Sequence, residues 1–315
     1  MIWQKSILLI PVISYLFNTE VTAQYLTAVK DTSFTVYSSW QKIKKTYPEI
    51  SLPDTIVKDS VRTIRNITYY KVGDHFLKLD MFFPAKMNTK KLPAVLMIHG
   101  GGWRSGDRSM HIPMAEKLAA KGYITLTVEY RLSTEAIYPA AVNDLKTAVR
   151  WIHENAENYH IDGNKIAVWG FSSGGQLASL IGTTSNDQIQ AIVNVDGVLA
   201  FIHPESGEGD DLKKTSAATY WFGSSKTERP ELWEQASALN QVNSSTPAIL
   251  FLNSSVSRMH AGRNDMIRKL DGFQIYNEVH TLKNTPHTFI LFNPWFDIAA
   301  DLTVKFLDKV LKNAN

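Results

Sequence analysis

The ten residues Ile166-Ala-Val-Trp-Gly-Phe-Ser172-Ser-Gly-Gly175 constrain the fold more than any other stretch of the chain. Four apolar residues of strand character run into Gly170-Phe171-Ser172-Ser173-Gly174, a Gly-x-Ser-x-Gly sequence, and a helix-compatible stretch follows at 176–181. Strand, sharp turn and helix in that order lift the hydroxyl of Ser172 clear of a sheet and set it beside a helix N-terminus. Ser173 has Phe171, not glycine, two residues before it, so Ser172 is the candidate nucleophile. Taken alone, the pattern also fits a serine that merely caps a helix. Two distant features favour chemistry. His99-Gly100-Gly101-Gly102-Trp103 follows a buried-strand run at 94–98, and His287 stands in Thr285-Pro286-His287-Thr288-Phe289 near the C-terminus.

The rest of the chain supplies the sheet around that turn. Val61–Tyr70 and Phe76–Pro84 are strand-like and meet at Val72-Gly73-Asp74, which predicts an antiparallel hairpin at a sheet edge. From Pro93 onward, apolar strands (94–98, 123–130, 189–195, 248–252, 274–282) alternate with helical patterns (110–121, 140–155, 262–270, 297–311). That alternation predicts an α/β fold with a mostly parallel central sheet and helices on both faces. Residues 197–246 break the rhythm with an acidic, glycine-containing cluster at 207–211, then Tyr220-Trp221-Phe222 and Trp233. We expect no strand there, but an insertion over the catalytic edge. Trp221, Phe222 and Trp233 either line a pocket or form the insertion's own small core. Residues 24–59 are expected to be a lead-in with some helix at 38–45, ahead of one domain at 60–315.

Residues 1–23 have the pattern of a cleavable signal peptide: Lys5, an apolar run at 7–17, and Val21-Thr22-Ala23 before Gln24. The run is well short of the ~20 residues a spanning helix needs, so stable membrane insertion is not expected, and the expected location is secreted or periplasmic. Absence of cysteine removes a thiol nucleophile and any disulfide framework. A formal net charge of +3 without a basic run does not suggest nucleic acid as a partner. The nine histidines show neither His-x-His nor His-Glu-x-x-His spacing and there is no cysteine, so no metal is expected.

Acyl transfer needs a nucleophile, a base and donors for a developing oxyanion. Ser172 supplies the first, and His287, following the last strand, the second. Backbone N–H groups of Gly101, Gly102 and Ser173 are the expected oxyanion donors. Losing one such donor typically costs about 3 kcal/mol of barrier.

Taken together, His99-Gly-Gly-Gly-Trp103, Glu129-Tyr-Arg-Leu132, Tyr138-Pro-Ala-Ala-Val-Asn-Asp144 and Gly170-Phe-Ser-Ser-Gly-Gly175 resemble α/β-hydrolase esterases of the hormone-sensitive-lipase and acetyl/feruloyl-esterase type, over roughly residues 60–312. The resemblance implies a carboxylester hydrolase without a cofactor, in which Tyr130, Arg131 and Asp144 serve structure. It also implies an acid a few residues past the penultimate strand. There this chain has Asn253-Ser-Ser-Val-Ser-Arg-Met-His260, with no carboxylate. Asp265, at the start of the next helix, is preferred as the acid. Asp196, at the end of strand 189–195, is its rival, and a Ser–His pair with a weaker orienting group is a third possibility.

Trp103 and Arg258 are candidate substrate-binding residues. Arg258 or Arg263 has the planar fork that suits a substrate carboxylate, against the plainer reading of a solvated surface. The segment from Arg258 to Phe292, with Asn293-Pro-Trp-Phe296 beyond it, is similar to exported bacterial esterases acting on plant polysaccharides such as pectin or xylan. The expected partner is therefore an esterified polysaccharide or oligosaccharide. A general carboxylesterase, lipase or peptidase of the same fold, or a non-catalytic binding module, stands as the alternative.

Overall fold

The computed structural model describes residues 26–54, 60–87, 89–185 and 188–312. The expected signal peptide at 1–23 lies outside them. Among the described residues, eight strands form one sheet: β1 (Val61–Val72), β2 (His75–Pro84), β3 (Leu92–Ile98), β4 (Ile124–Val128), β5 (Ile161–Phe171), β6 (Ala191–Val195), β7 (Ala248–Asn253) and β8 (Asn277–Thr281), in the order β1-β2-β4-β3-β5-β6-β7-β8. β1 and β2 form the hairpin read from the sequence, closed at the pair Val72↔His75 by Gly73-Asp74. β2 is antiparallel to β4, and every later pairing is parallel.

The central strands read as unbroken apolar runs because both faces of the sheet are covered. Along β3, Leu96 and Ile98 enter one core, with Leu145, Val149, Leu177 and Ile181. Val95 and Met97 enter the opposite core, with Met114, Leu118, Phe296 and Phe306. The covering helices are thus α3 (Ala140–Glu154) and α4 (Ser173–Thr183) on one face, and α2 (Ile112–Ala120) and α9 (Trp295–Leu307) on the other. Helix α1 (Val36–Ile43), in the lead-in, is closed by a capping box between Thr35 and Ser38. The strand expected at 274–282 is shorter. Phe273 and Gln274 instead finish helix α8 (Arg263–Gly272), with Phe273 N–H bonded to the Lys269 carbonyl and Gln274 at φ +58°.

Between β6 and β7 the chain forms short helices and no strand: α5 (Ala217–Phe222), α6 (Pro230–Gln235) and α7 (Ala238–Gln241). Trp221, Phe222 and Trp233 are at most 1% exposed and pack together, with Phe222 and Trp233 stacked at 4.3 Å. They are the core of the insertion, not the lining of a pocket. Among the described residues no helix is long and apolar enough to cross a membrane.

Strand order turns at β3, because β4 lies to one side of it and β5 to the other. Clefts outside the carboxyl ends of strands open at such a reversal in parallel α/β sheets. The Gly-rich loop leaves β3 there, and Ser172 leaves β5.

Candidate active site

Ser172 follows β5 at φ +56°, ψ −123°, a conformation that costs a non-glycine residue strain. The turn closes only because residue 170 is glycine: a Cβ there would lie 2.0 Å from the Gly174 carbonyl oxygen. The Ser172 N–H bonds to the Val195 carbonyl at 2.8 Å, so the strained residue is tied to the neighbouring strand. Ser173 opens α4, and its N–H belongs to the first turn, which has no intrahelical acceptor.

His287 meets Ser172 directly, with Nε2 2.8 Å from Oγ. Its Nδ1 is 3.0 Å from Asp196 Oδ2. A carboxylate only accepts, so Nδ1 carries the proton towards Asp196, and Nε2 of the neutral ring is left to accept from the Ser172 hydroxyl. The Phe171 ring backs the imidazole at 5.0 Å. The loop carrying His287 is laced to the segment after β7: Thr285 N–H bonds to Ser255 Oγ, and Ser255 N–H to the Thr285 carbonyl.

Asp196 is fully buried, and its second oxygen accepts from the Ser254 N–H at 2.8 Å. Two donors on one carboxylate are what a buried charge requires. The residue sits one position past β6, at φ +49°, a left-handed conformation that aspartate tolerates better than most side chains.

The preferred acid of the sequence reading, Asp265, is not the partner of His287. The chain after β7 passes through a short helical turn, Ser257–His260, and enters α8, whose first turn holds Asp265. Its carboxylate is 3.1 Å from His203 Nε2, is bonded to Arg268, and is 40% exposed. Both nitrogens of His287 are already occupied by Ser172 and Asp196. Asn253 ends β7, a few residues before the position the resemblance assigns to the acid. Its Oδ1 accepts from Arg263 Nη1 at 2.8 Å, which ties up the second arginine considered for substrate.

The loop after β3 runs against the nucleophile, since a Cβ on Gly100 would stand 3.1 Å from Ser172 Cβ. Gly101, Gly102 and Trp103 all have positive φ. Glycine is required at 101, where φ is +127° and a Cβ would lie 2.0 Å from the Ser105 carbonyl oxygen. Tyr130 supports the loop from below: its hydroxyl bonds to the His99 carbonyl at 2.9 Å, and its ring stacks on His99 at 4.4 Å. Arg131 and Asp144 are paired at 2.6 Å, with Asp144 fully buried, so the structural role expected of both matches their placement.

Trp103 differs from its expected role in substrate binding. It is 3% exposed, its Nε1 donates to Gln176 Oε1 at 2.9 Å, and its ring stacks on Trp221 at 5.0 Å. Its large apolar ring is drawn into the aromatic core of the insertion, and it locks the Gly-rich loop to α4 and α5. Arg258 stays at the surface, 58% exposed, with Nη1 3.7 Å from Glu208 Oε1. Glu208 was not singled out by the sequence reading, in which it was one acid of the cluster at 207–211. Among the described residues, no three His, Asp or Glu side chains gather in a way that holds a metal ion.

Two buried imidazoles behind the site give the protein a pH-dependent stability. Burial holds His99 neutral, its pKa pushed down to about 4, and His111 likewise, to about 3. In the unfolded chain both protonate near 6.5, so below that pH the unfolded state binds more protons and stability falls. We expect a loss of roughly 2–3 kcal/mol between pH 7 and 5.5 from the pair. Calorimetric melting across that range measures it, and a flat Tm would contradict it. Asp31, Asp80 and Asp107, whose pKa values are lowered, stabilise the fold above their ordinary value of 3.8, and that contribution is lost only as pH falls below it.

Comparison with known proteins adds to this geometry. The family model described as BD-FAE matches residues 79–258. Esterase LipC of Mycobacterium tuberculosis is 30% identical over 190 residues, covering 56% of this chain and 47% of that protein. Carboxylesterase NlhH of the same bacterium is 33% identical over 144 residues, covering 45% of this chain and 42% of that protein. The chain thus spans less than half the length of these two relatives. A truncated form of a carbohydrate esterase from gut microbiota superposes with a TM-score of 0.65 at 19% identity, over 82% of this chain and 100% of that one. That likeness is one of fold, the α/β-hydrolase fold.

Proposed function

The chain belongs to the BD-FAE family, and from that premise we propose that it is a serine carboxylester hydrolase. The observation that carries the reading is the continuous relay Ser172–His287–Asp196, at 2.8 and 3.0 Å. Ser172 Oγ attacks the ester carbonyl while Nε2 of His287 takes its proton. The oxyanion is received by the N–H groups of Gly101, Gly102 and Ser173. Collapse of the tetrahedral species expels the alcohol, which takes the proton back from His287. Water then repeats the sequence on the acyl-enzyme and releases the acid. Asp196 holds the tautomer and stabilises the imidazolium.

We assign the substrate to acetyl or methyl esters of a plant polysaccharide such as xylan or pectin. The resemblance of the segment from Arg258 to Phe292 supports this, as do the names borne by its relatives, esterase and carboxylesterase, and by its fold neighbour, carbohydrate esterase. We also place the protein outside the cytoplasm, on the signal-like pattern at 1–23. N-terminal sequencing of the exported protein should then begin at Gln24.

The test is release of acetate and of methanol from acetylated xylan and from pectin, with wild type beside Ser172→Ala. Release by the wild type alone is expected. Cleavage of a short aryl ester with neither polymer attacked would move the assignment to a small-molecule esterase. Silence on all three substrates would overturn the enzyme reading in favour of a binding module.

A further inference from the structure

One acid close to the relay has no part in that chemistry. Glu208 comes from the insertion between β6 and β7 and is 18% exposed at its side chain. The backbone N–H of Ala218 faces its carboxylate, and the charge of His287 acts on it. Ala217, next to Ala218, borders the Gly-rich loop: a Cβ on Gly102 would lie 3.0 Å from Ala217 Cβ. Arg258 approaches from the other side, its Nη1 3.7 Å from Glu208 Oε1 and its stem beside Gly207. Glu208 therefore pairs with Arg258 beside the segment that borders the oxyanion loop, near enough to His287 for its charge to be felt.

Such a placement is costly unless something answers it. Burying a carboxylate removes hydration that the pairing with Arg258 only partly replaces, since 3.7 Å is beyond hydrogen-bond distance. Burial accordingly raises the Glu208 pKa. Both partners keep hydrogen-bonding capacity: the carboxylate as acceptor, the guanidinium as donor. An ammonium group entering here would meet the Arg258 charge, and a carboxylate would meet that of Glu208. A neutral group that both donates and accepts satisfies the two at once, and hydroxyls on adjacent carbons do so.

Resting on the esterase reading above, we propose that Glu208 and Arg258 form a subsite for the alcohol part of the ester, recognising the free vicinal hydroxyls of a neutral sugar. Within the plant polysaccharides this favours acetyl esters on neutral sugars over uronate esters, and it gives Arg258 a hydroxyl in place of the carboxylate expected from sequence. A site built to bond hydroxyls discriminates strongly against an alcohol lacking them, because its own polar groups are then left buried and unpaired.

The experiment compares a mono-O-acetylated methyl xyloside, whose neighbouring hydroxyls are free, with cyclohexyl acetate, whose ring has none. The readout is the ratio of kcat/KM for the two esters in wild type, Glu208→Gln and Arg258→Met. We expect the wild type to prefer the sugar ester at least tenfold and each variant to lower the ratio at least fivefold, mainly through KM for the sugar ester. A merely structural role would move both esters together and leave the ratio in place. A ratio within twofold of wild type in both variants, with both esters still cleaved, overturns the subsite and leaves the esterase reading standing. Failure of the wild type to cleave either ester beyond the Ser172→Ala background overturns that reading, and the subsite with it.

Discussion

Replacing Ser172 by alanine should lower turnover of any ester by about 10⁶-fold, the order seen when the nucleophile of such a triad is removed. It should also abolish labelling by a fluorophosphonate probe. The fold should survive, because Ser172 keeps its backbone bond to Val195 and its hydroxyl contributes only the bond to His287. Alanine retains the Cβ and so leaves the strain of φ +56° in place. Glycine removes it. Ser172→Gly should therefore be as inactive as Ser172→Ala and about 1 kcal/mol more stable than wild type, the relief of an unfavourable backbone state exceeding the entropy cost of glycine. Urea unfolding of the three proteins measures the difference. A glycine variant less stable than the alanine one would mean that the turn is not strained.

The second large effect falls on the acid. Asp196→Asn should lower kcat about 10⁴-fold with little change in fold, as expected when the orienting carboxylate becomes an amide. The amide nitrogen would donate towards Nδ1 of His287, leaving the ring proton on Nε2, where it faces Ser172 and blocks proton acceptance. Asp265→Asn should stay within about twofold of wild type, since that side chain bonds to His203 and Arg268 at the surface. Parallel kcat measurements on the two variants decide the point. A loss at Asp265 comparable to that at Asp196 would contradict the relay as drawn.

How far the sequence carried the description depended on whether a feature is local. The turn at 166–175 was legible because its glycines and its strand–helix context lie within ten residues. Hairpin, parallel core and the position of His287 followed from periodicity and chain order. The acid did not, because two aspartates follow strands, one directly and one in the first turn of the next helix, and sequence alone does not say which of them reaches His287. Asp196 follows β6 directly and is aimed by a left-handed backbone, whereas Asp265 is carried away by the turn at Ser257–His260. A sign was present: Asp196-Gly197 ends a strand next to that of the nucleophile, while β7 ends in Asn253. Trp103 was misread because an aromatic beside a Gly-rich loop looks the same whether it faces a cleft or a core, and only the buried rings of residues 221–233 tell which. Glu208 lies in an acidic run whose members differ in burial, and burial of one loop residue leaves no mark on its neighbours in sequence.

The position of the acid has a consequence for how this scaffold diversifies. Nucleophile and acid leave β5 and β6, adjacent strands locked in register through Phe171↔Val195, so their spacing is set by the sheet ladder. The loop after β7 then gives the relay the backbone N–H of Ser254 and, through Ser255, a tie to the loop of His287. Its remaining side chains, at 256–260, are released from proton transfer, and Arg258 among them pairs with Glu208 of the insertion. That loop is the natural territory for exchange: rewriting it should redirect selectivity while the reacting groups keep their alignment, so that new substrates are acquired without rebuilding the machinery that cleaves them.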